Sequence, residues 1–123
     1  MHEKIPSEAL EQKWLFEWAA YNMWLHPELQ LMFHIPNGGS RDVREAHNLK
    51  MQGVKAGVPD ICLPIPRGQY HGMFIEMKKS KGGVVSQEQK GWLMRLNEQG
   101  YKAIVAHGFE EAKTAIEKYL RGY

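Results

Sequence analysis

The segment Gly72-Met73-Phe74-Ile75-Glu76-Met77-Lys78 constrains this chain more than any other. A β-strand here turns Met73, Ile75 and Met77 to one face and Phe74, Glu76 and Lys78 to the other. The first set feeds a core. The second places an acid and a base two residues apart on one surface, where they either carry chemistry or form an ion pair of little energetic value. The fold therefore needs a sheet with one apolar face and one face available for function.

Helices and strands alternate around that segment. Ser7 is placed to cap a helix from Glu8, in which Leu10, Trp14, Trp18, Tyr21 and Leu25 follow a helical stripe as far as Pro27. Leu15, Phe16, Ala19 and Met23 add a second apolar flank, wider than a helix resting on one sheet face requires, and the excess suits a partner chain. Leu29 to Ile35 reads as a short strand ending at the turn Pro36-Asn37-Gly38-Gly39, and Ser40 as the cap of a helix to about Gln52. Ile61 to Ile65 and Gly72 to Lys78 read as an antiparallel hairpin, its first strand shortened by Pro64. After the basic loop Lys79 to Val85, Ser86 caps a helix with Gln89 at its third position, ending near Gly100. Lys102 to His107 reads as a strand and Phe109 to Leu120 as a closing helix. The order α, β, α, β, β, α, β, α predicts an α/β fold with a small mixed sheet flanked by helices.

A chain of 123 residues can bury a core without disulfide or metal staples, and we expect one domain over 1–123. Cys62 is the only cysteine and lies in the apolar run Ile61-Cys62-Leu63, so it reads as a small buried hydrophobe in a reducing cytoplasm. No stretch resembles a signal peptide or reaches the length of a membrane span, so no membrane partner is expected. The six histidines lack zinc spacing, and no GxxxxGK[ST] motif calls for a nucleotide cofactor. Trp14, Trp18, Trp24 and Trp92 lie on predicted helices and read as core or interface. A net charge of +2 is compatible with nucleic acid without demanding it. Its distribution matters more, because Lys50, Lys55, Arg67, Lys78, Lys79 and Lys81 all fall in the stretch around the acid and base.

Val58-Pro59-Asp60 adds a second carboxylate close to that strand, after Gly53 and Gly57 have turned the chain. Magnesium takes oxygen ligands from one or two carboxylates and keeps several waters, so Asp60 and Glu76 are a sufficient protein contribution, with Lys78 beside them. Taken singly, each residue has a plainer reading: Asp60 as a turn residue, Glu76 as an exposed strand position paired with Lys78.

Pro59-Asp60 followed by Glu76-Met77-Lys78 resembles the PD-(D/E)xK nuclease signature. The blocks Gly53-Val54-Lys55-Ala56-Gly57-Val58-Pro59-Asp60, His34-Ile35-Pro36-Asn37-Gly38-Gly39 and Ser86-Gln87-Glu88-Gln89 narrow the resemblance to the virus-type replication-repair nuclease (VRR-NUC) family, from about Glu8 to about Ala112. The resemblance implies a restriction-endonuclease-like core. It implies that Asp60, Glu76 and the Met77 carbonyl hold Mg2+ or Mn2+, that Lys78 completes the catalytic set, and that a first-helix glutamate supports the metal, Glu11 being preferred and Glu8 the alternative. Gln89 resembles a glutamine near the active site, although helix capping explains it equally well. His34, Asn37, Gly39, Arg41, Lys55, Lys79 and Lys81 are the expected substrate contacts, and a plain turn explains the glycines as readily. The implied activity is metal-dependent endonucleolytic cutting of DNA. Similarity to stand-alone phage-type members points to branched DNA, with the Holliday junction as substrate, a homodimer as assembly, and the cytoplasm of a bacterial or phage-infected cell as location. A flap, nicking or restriction-like nuclease and a non-catalytic DNA-binding module are the alternatives.

Overall fold

Strand β3 (Met73–Lys78) is paired along both edges, antiparallel to β2 (Ile61–Leu63) and parallel to β4 (Lys102–His107). A computed structural model describes residues 4–36 and 42–122. The sheet order is β1-β2-β3-β4, with β1 (Phe33–His34) antiparallel to β2. Among the described residues four α-helices accompany it: α1 (Glu8–Tyr21), α2 (Val43–Met51), α3 (Gln87–Glu98) and α4 (Phe109–Leu120). The α/β class and the mixed sheet agree with the sequence pattern.

The apolar side of β3 behaves as alternation predicts. Met73, Ile75 and Met77 are buried in one cluster with Leu15 and Ala19 of α1, Leu29, Ile61, Leu63, and Ala112 and Ile116 of α4. Cys62 is buried as a small hydrophobe, and burial pushes its thiol pKa up. Across the sheet end, Arg67 pairs with Glu28 and donates to the Leu120 carbonyl at 3.2 Å, while the Tyr119 hydroxyl donates to the Ile65 carbonyl at 2.6 Å. These bonds tie α4 to the β2–β3 connection.

Several local expectations are corrected. The buried stripe of α1 is Glu11, Leu15 and Ala19, at i, i+4 and i+8, whereas Leu10, Trp14 and Tyr21 on the expected stripe are exposed. Alanine and leucine let the helix approach the sheet more closely than tryptophan would. The helix ends at Tyr21, where the Asn22 amide caps the Trp18 carbonyl at 2.8 Å, well short of Pro27. Pro27 instead starts a 3-10 turn, Pro27–Leu31, which leaves only Phe33 and His34 of the expected Leu29–Ile35 strand. Asp42 caps α2, its Oδ1 accepting from the Glu45 N–H at 2.7 Å; Ser40 lies outside the described residues. Strand β2 stops at Leu63, ahead of Pro64. Most important, the second face of β3 is not exposed: Glu76 is 3% and Lys78 8% exposed.

The loop before Asp60 is held by a close approach. Gly57 has φ +90°, and a Cβ there would lie 2.6 Å from the Glu88 backbone carbon in α3. Gly53, at φ +103°, has open space around the same position. Gly53→Ala should therefore cost about 1 kcal/mol, the backbone term alone. Gly57→Ala should cost at least ~1 kcal/mol more, because a packed neighbour must move. Urea unfolding of the two variants checks this; equal losses would show that α3 does not press on the loop.

Candidate active site

Asp60 and Glu76 reach one pocket of about 350 Å³ by different routes. Glu76 is carried there by β3. Asp60 lies just before β2, and its Oδ2 accepts from the Met77 N–H at 2.8 Å, so the loop is buttoned to the neighbouring strand. The Asp60 carbonyl accepts from the Ile35 N–H at 2.7 Å. It also lies 2.8 Å from His34 Nδ1, which is 3.0 Å from Gln12 Nε2. A carbonyl only accepts, so its bond to His34 takes the Nδ1 proton; Nδ1 then has no lone pair for the Gln12 amide nitrogen, which lies against it as a contact, and Nε2 is the nitrogen left for other partners.

Lys78 emerges beside Glu76, with Nζ 3.8 Å from Glu76 Oε2 and 4.0 Å from Glu8 Oε1. Gln89 reaches the same Glu76 oxygen from α3. Its Oε1 accepts from the Ser86 N–H at 2.8 Å, completing the capping box of α3, and its Nε2 donates to Glu76 Oε2 at 3.2 Å. Capping and contact with the site, alternatives in the sequence, are met by the two ends of one amide.

Burial, above all, pushes the Glu76 carboxyl up to about 8 from its ordinary 4.5; the hydrogen bond and charge of Asp60 add to the rise, Lys78 opposes it, and Glu8 contributes least. Two carboxyls held this close, away from water, form a site that favours a cation. Their hard oxygens suit magnesium or manganese. Among the described residues no three Asp, Glu, His or Cys side chains cluster tightly enough to make a metal site by themselves. A carboxylate pair still meets the need of an ion that keeps its waters.

The structure places the two first-helix glutamates differently. Glu8 lines the pocket, with Ala9 and Gln12 beside it. Glu11 is buried and caps α4, its Oε1 accepting from the Phe109 N–H at 2.9 Å, and a Cβ at the preceding Gly108 would come within 3.0 Å of its Oε2. Glu11 falls on the buried Leu15–Ala19 stripe, while Glu8 and Gln12, an i, i+4 pair, both line the pocket. Gln12 is a pocket residue that the sequence pattern does not single out. Met77 and His34 line the pocket. Lys55, Lys79 and Lys81 are exposed and lie outside the pocket lining. Asn37, Gly39 and Arg41 fall outside the described residues.

A mixed sheet presenting Asp60 and Glu76-Met77-Lys78 in one pocket defines the class: an α/β protein with the restriction-endonuclease-like core. The VRR-NUC domain model matches residues 2–110. A solved structure described as a VRR_NUC domain protein is similar at a TM-score of 0.85 and 31% identity, covering 98% of this chain and 93% of that one. This chain belongs to the VRR-NUC family of nucleases. No curated protein matches it.

Two outcomes test the geometry. Glu11→Ala should lower stability by about 1–2 kcal/mol through loss of the α4 cap, while Glu8→Ala leaves it nearly unchanged; chemical denaturation measures both, and the reverse order would return Glu11 to the pocket. The raised Glu76 pKa means that the folded chain keeps a proton the unfolded chain loses, so its contribution to stability falls as pH rises from about 4.5 to about 8. In EDTA, Glu76→Gln should therefore gain on wild type across that window and hold the gain above it. A constant difference between the two denaturation profiles would contradict the shift.

Proposed function

We propose that this chain is a metal-dependent endodeoxyribonuclease acting on branched DNA, with the four-way junction as its substrate. The convergence of Asp60, Glu76 and Lys78 in one pocket carries this reading. Asp60 and Glu76, with the Met77 carbonyl, would hold Mg2+ or Mn2+. Such an ion supplies neutralisation of phosphate charge and a lowered pKa for water. The chain's own groups do the rest. The Met77 N–H fixes one Asp60 oxygen and the Gln89 amide fixes one Glu76 oxygen, so both carboxylates face the pocket in set orientations. Lys78, between Glu76 and Glu8, attracts the scissile phosphate and positions the attacking water. His34, anchored at the Asp60 carbonyl, offers Nε2 to the substrate.

Preference for a junction rests on the resemblance to stand-alone members and on symmetry. Resolving a two-fold junction takes two incisions, and a C2 dimer brings two sites. The exposed Tyr21, Trp24, Leu25, Leu31 and Phe33 are the surface we assign to that dimer.

Cleavage of labelled four-way, flap, nicked and linear DNA with magnesium, manganese or EDTA tests the proposal. We expect paired symmetric cuts on the junction, lost in EDTA. Lys78→Ala should cut at least ~100-fold more slowly while still binding DNA. Equal cutting of every form would discard the junction preference, and full activity of Lys78→Ala would remove that residue from the chemistry. Binding without products would favour a DNA-binding module.

A further inference from the structure

A second cavity, of about 410 Å³, opens between the end of α2, the loop that follows it, and α3. We propose that it seats a nucleobase unstacked from the DNA beside the cut phosphodiester, a role that rests on the nuclease reading above. Its size falls within the range of about 300–1,000 Å³ typical of small-molecule sites. Its walls are apolar, made by Ile35, Pro36, Val54 and Val58, and its aromatic surface is Trp92.

Three observations favour a base. Trp92 Nε1 donates to the Ala56 carbonyl at 3.0 Å, which fixes the indole and uses its one donor. What the ring still offers is a π face, and every base can stack on one. Next, the cavity is built on the same two chain segments as the active site: His34 lines one and Ile35 the other, the Ile35 N–H donates to the Asp60 carbonyl at 2.7 Å, and Val58 stands two residues before Asp60. A strand whose phosphate lies at Asp60 and Glu76 thus has a neighbouring base within reach. Charge and rim chemistry also agree. Lys55 at the cavity and Lys50 in the last turn of α2 suit a polyanion, while the Gln52 amide can both donate to and accept from a base edge. Branch points, nicks and flaps are where bases unstack most readily, so the cavity would read an open DNA end or junction without reading its sequence.

The test uses the full chain and DNA carrying 5-iodouracil at one position at a time on either side of the cut, in four-way and nicked substrates, irradiated in the bound state. A cross-link mapping to Trp92 from one or two adjacent positions is the expected result. Trp92→Leu should raise KM about tenfold with a smaller change in kcat. Val54→Glu places a charge at the partly exposed mouth and leaves the Trp92 hydrogen bond alone, so it keeps the test open should Trp92→Leu melt early. It should raise KM similarly and reduce the cross-link at least ~fivefold at an unchanged melting temperature. Cutting with no Trp92 cross-link, or cross-links confined to Trp14, Trp18 or Trp24, overturns the base site and leaves the nuclease standing. A Trp92 cross-link without cleavage of any DNA does the reverse. A change of oligomeric state in DNA-free Val54→Glu assigns the cavity to a second copy and overturns the proposal.

Discussion

An acid and a lysine buried on one central strand are the constraint around which this structure is arranged. Either charge alone, withdrawn from water, would be strongly destabilising. Glu76 and Lys78 are tolerable together because each faces the other, because Gln89 donates to Glu76, and because Glu8 faces Lys78. That balance is incomplete. The Glu76 carboxyl is left favouring its proton, so the protein holds its site in a state that a cation would relieve. Stability given up locally in this way is a usual mark of a functional centre.

The surroundings keep that centre in place from a distance. Helix α1 brings Glu8 and Gln12 over the pocket, and its register is set by Glu11, whose carboxylate takes the first N–H of α4. One helix thus spends an acid on anchoring and another on the site, a single turn apart. The loop carrying Asp60 is held from two sides, by the Met77 N–H on β3 and by Gly57 against Glu88 on α3. The two carboxylates accordingly move only as the strand and that helix move.

Much of this was legible from residue order. Alternation along Met73 to Lys78 identified both the core side chains and the chemical pair, and the Ser86 and Gln89 spacing marked the capping box that the structure contains. Helix α1 was harder to read. Its apolar residues spread around the axis among five charged or amide side chains, so the stripe through Leu10, Trp14 and Tyr21 looked as good as the buried one through Leu15 and Ala19, and the contact that decides which side is buried joins residues 98 positions apart. No local pattern reports such a contact. Burial of Glu76 and Lys78 was hidden for a related reason: alternation tells which side chains share a face but not that a helix will cover it. Trp92 read simply as core or interface, since the cavity beside it depends on how a loop and a helix meet.

The amide of Gln89 narrows what that position can become. One end must accept from the Ser86 N–H and the other must donate to Glu76, across a reach that asparagine lacks. Glutamate has the reach and the acceptor, yet it would set a further negative charge against a carboxyl already crowded by Asp60. Lysine, with donors only, would leave the Ser86 N–H unmet. The glutamine amide satisfies the start of a helix and a carboxyl of the pocket together, so a change at this residue is felt in both places.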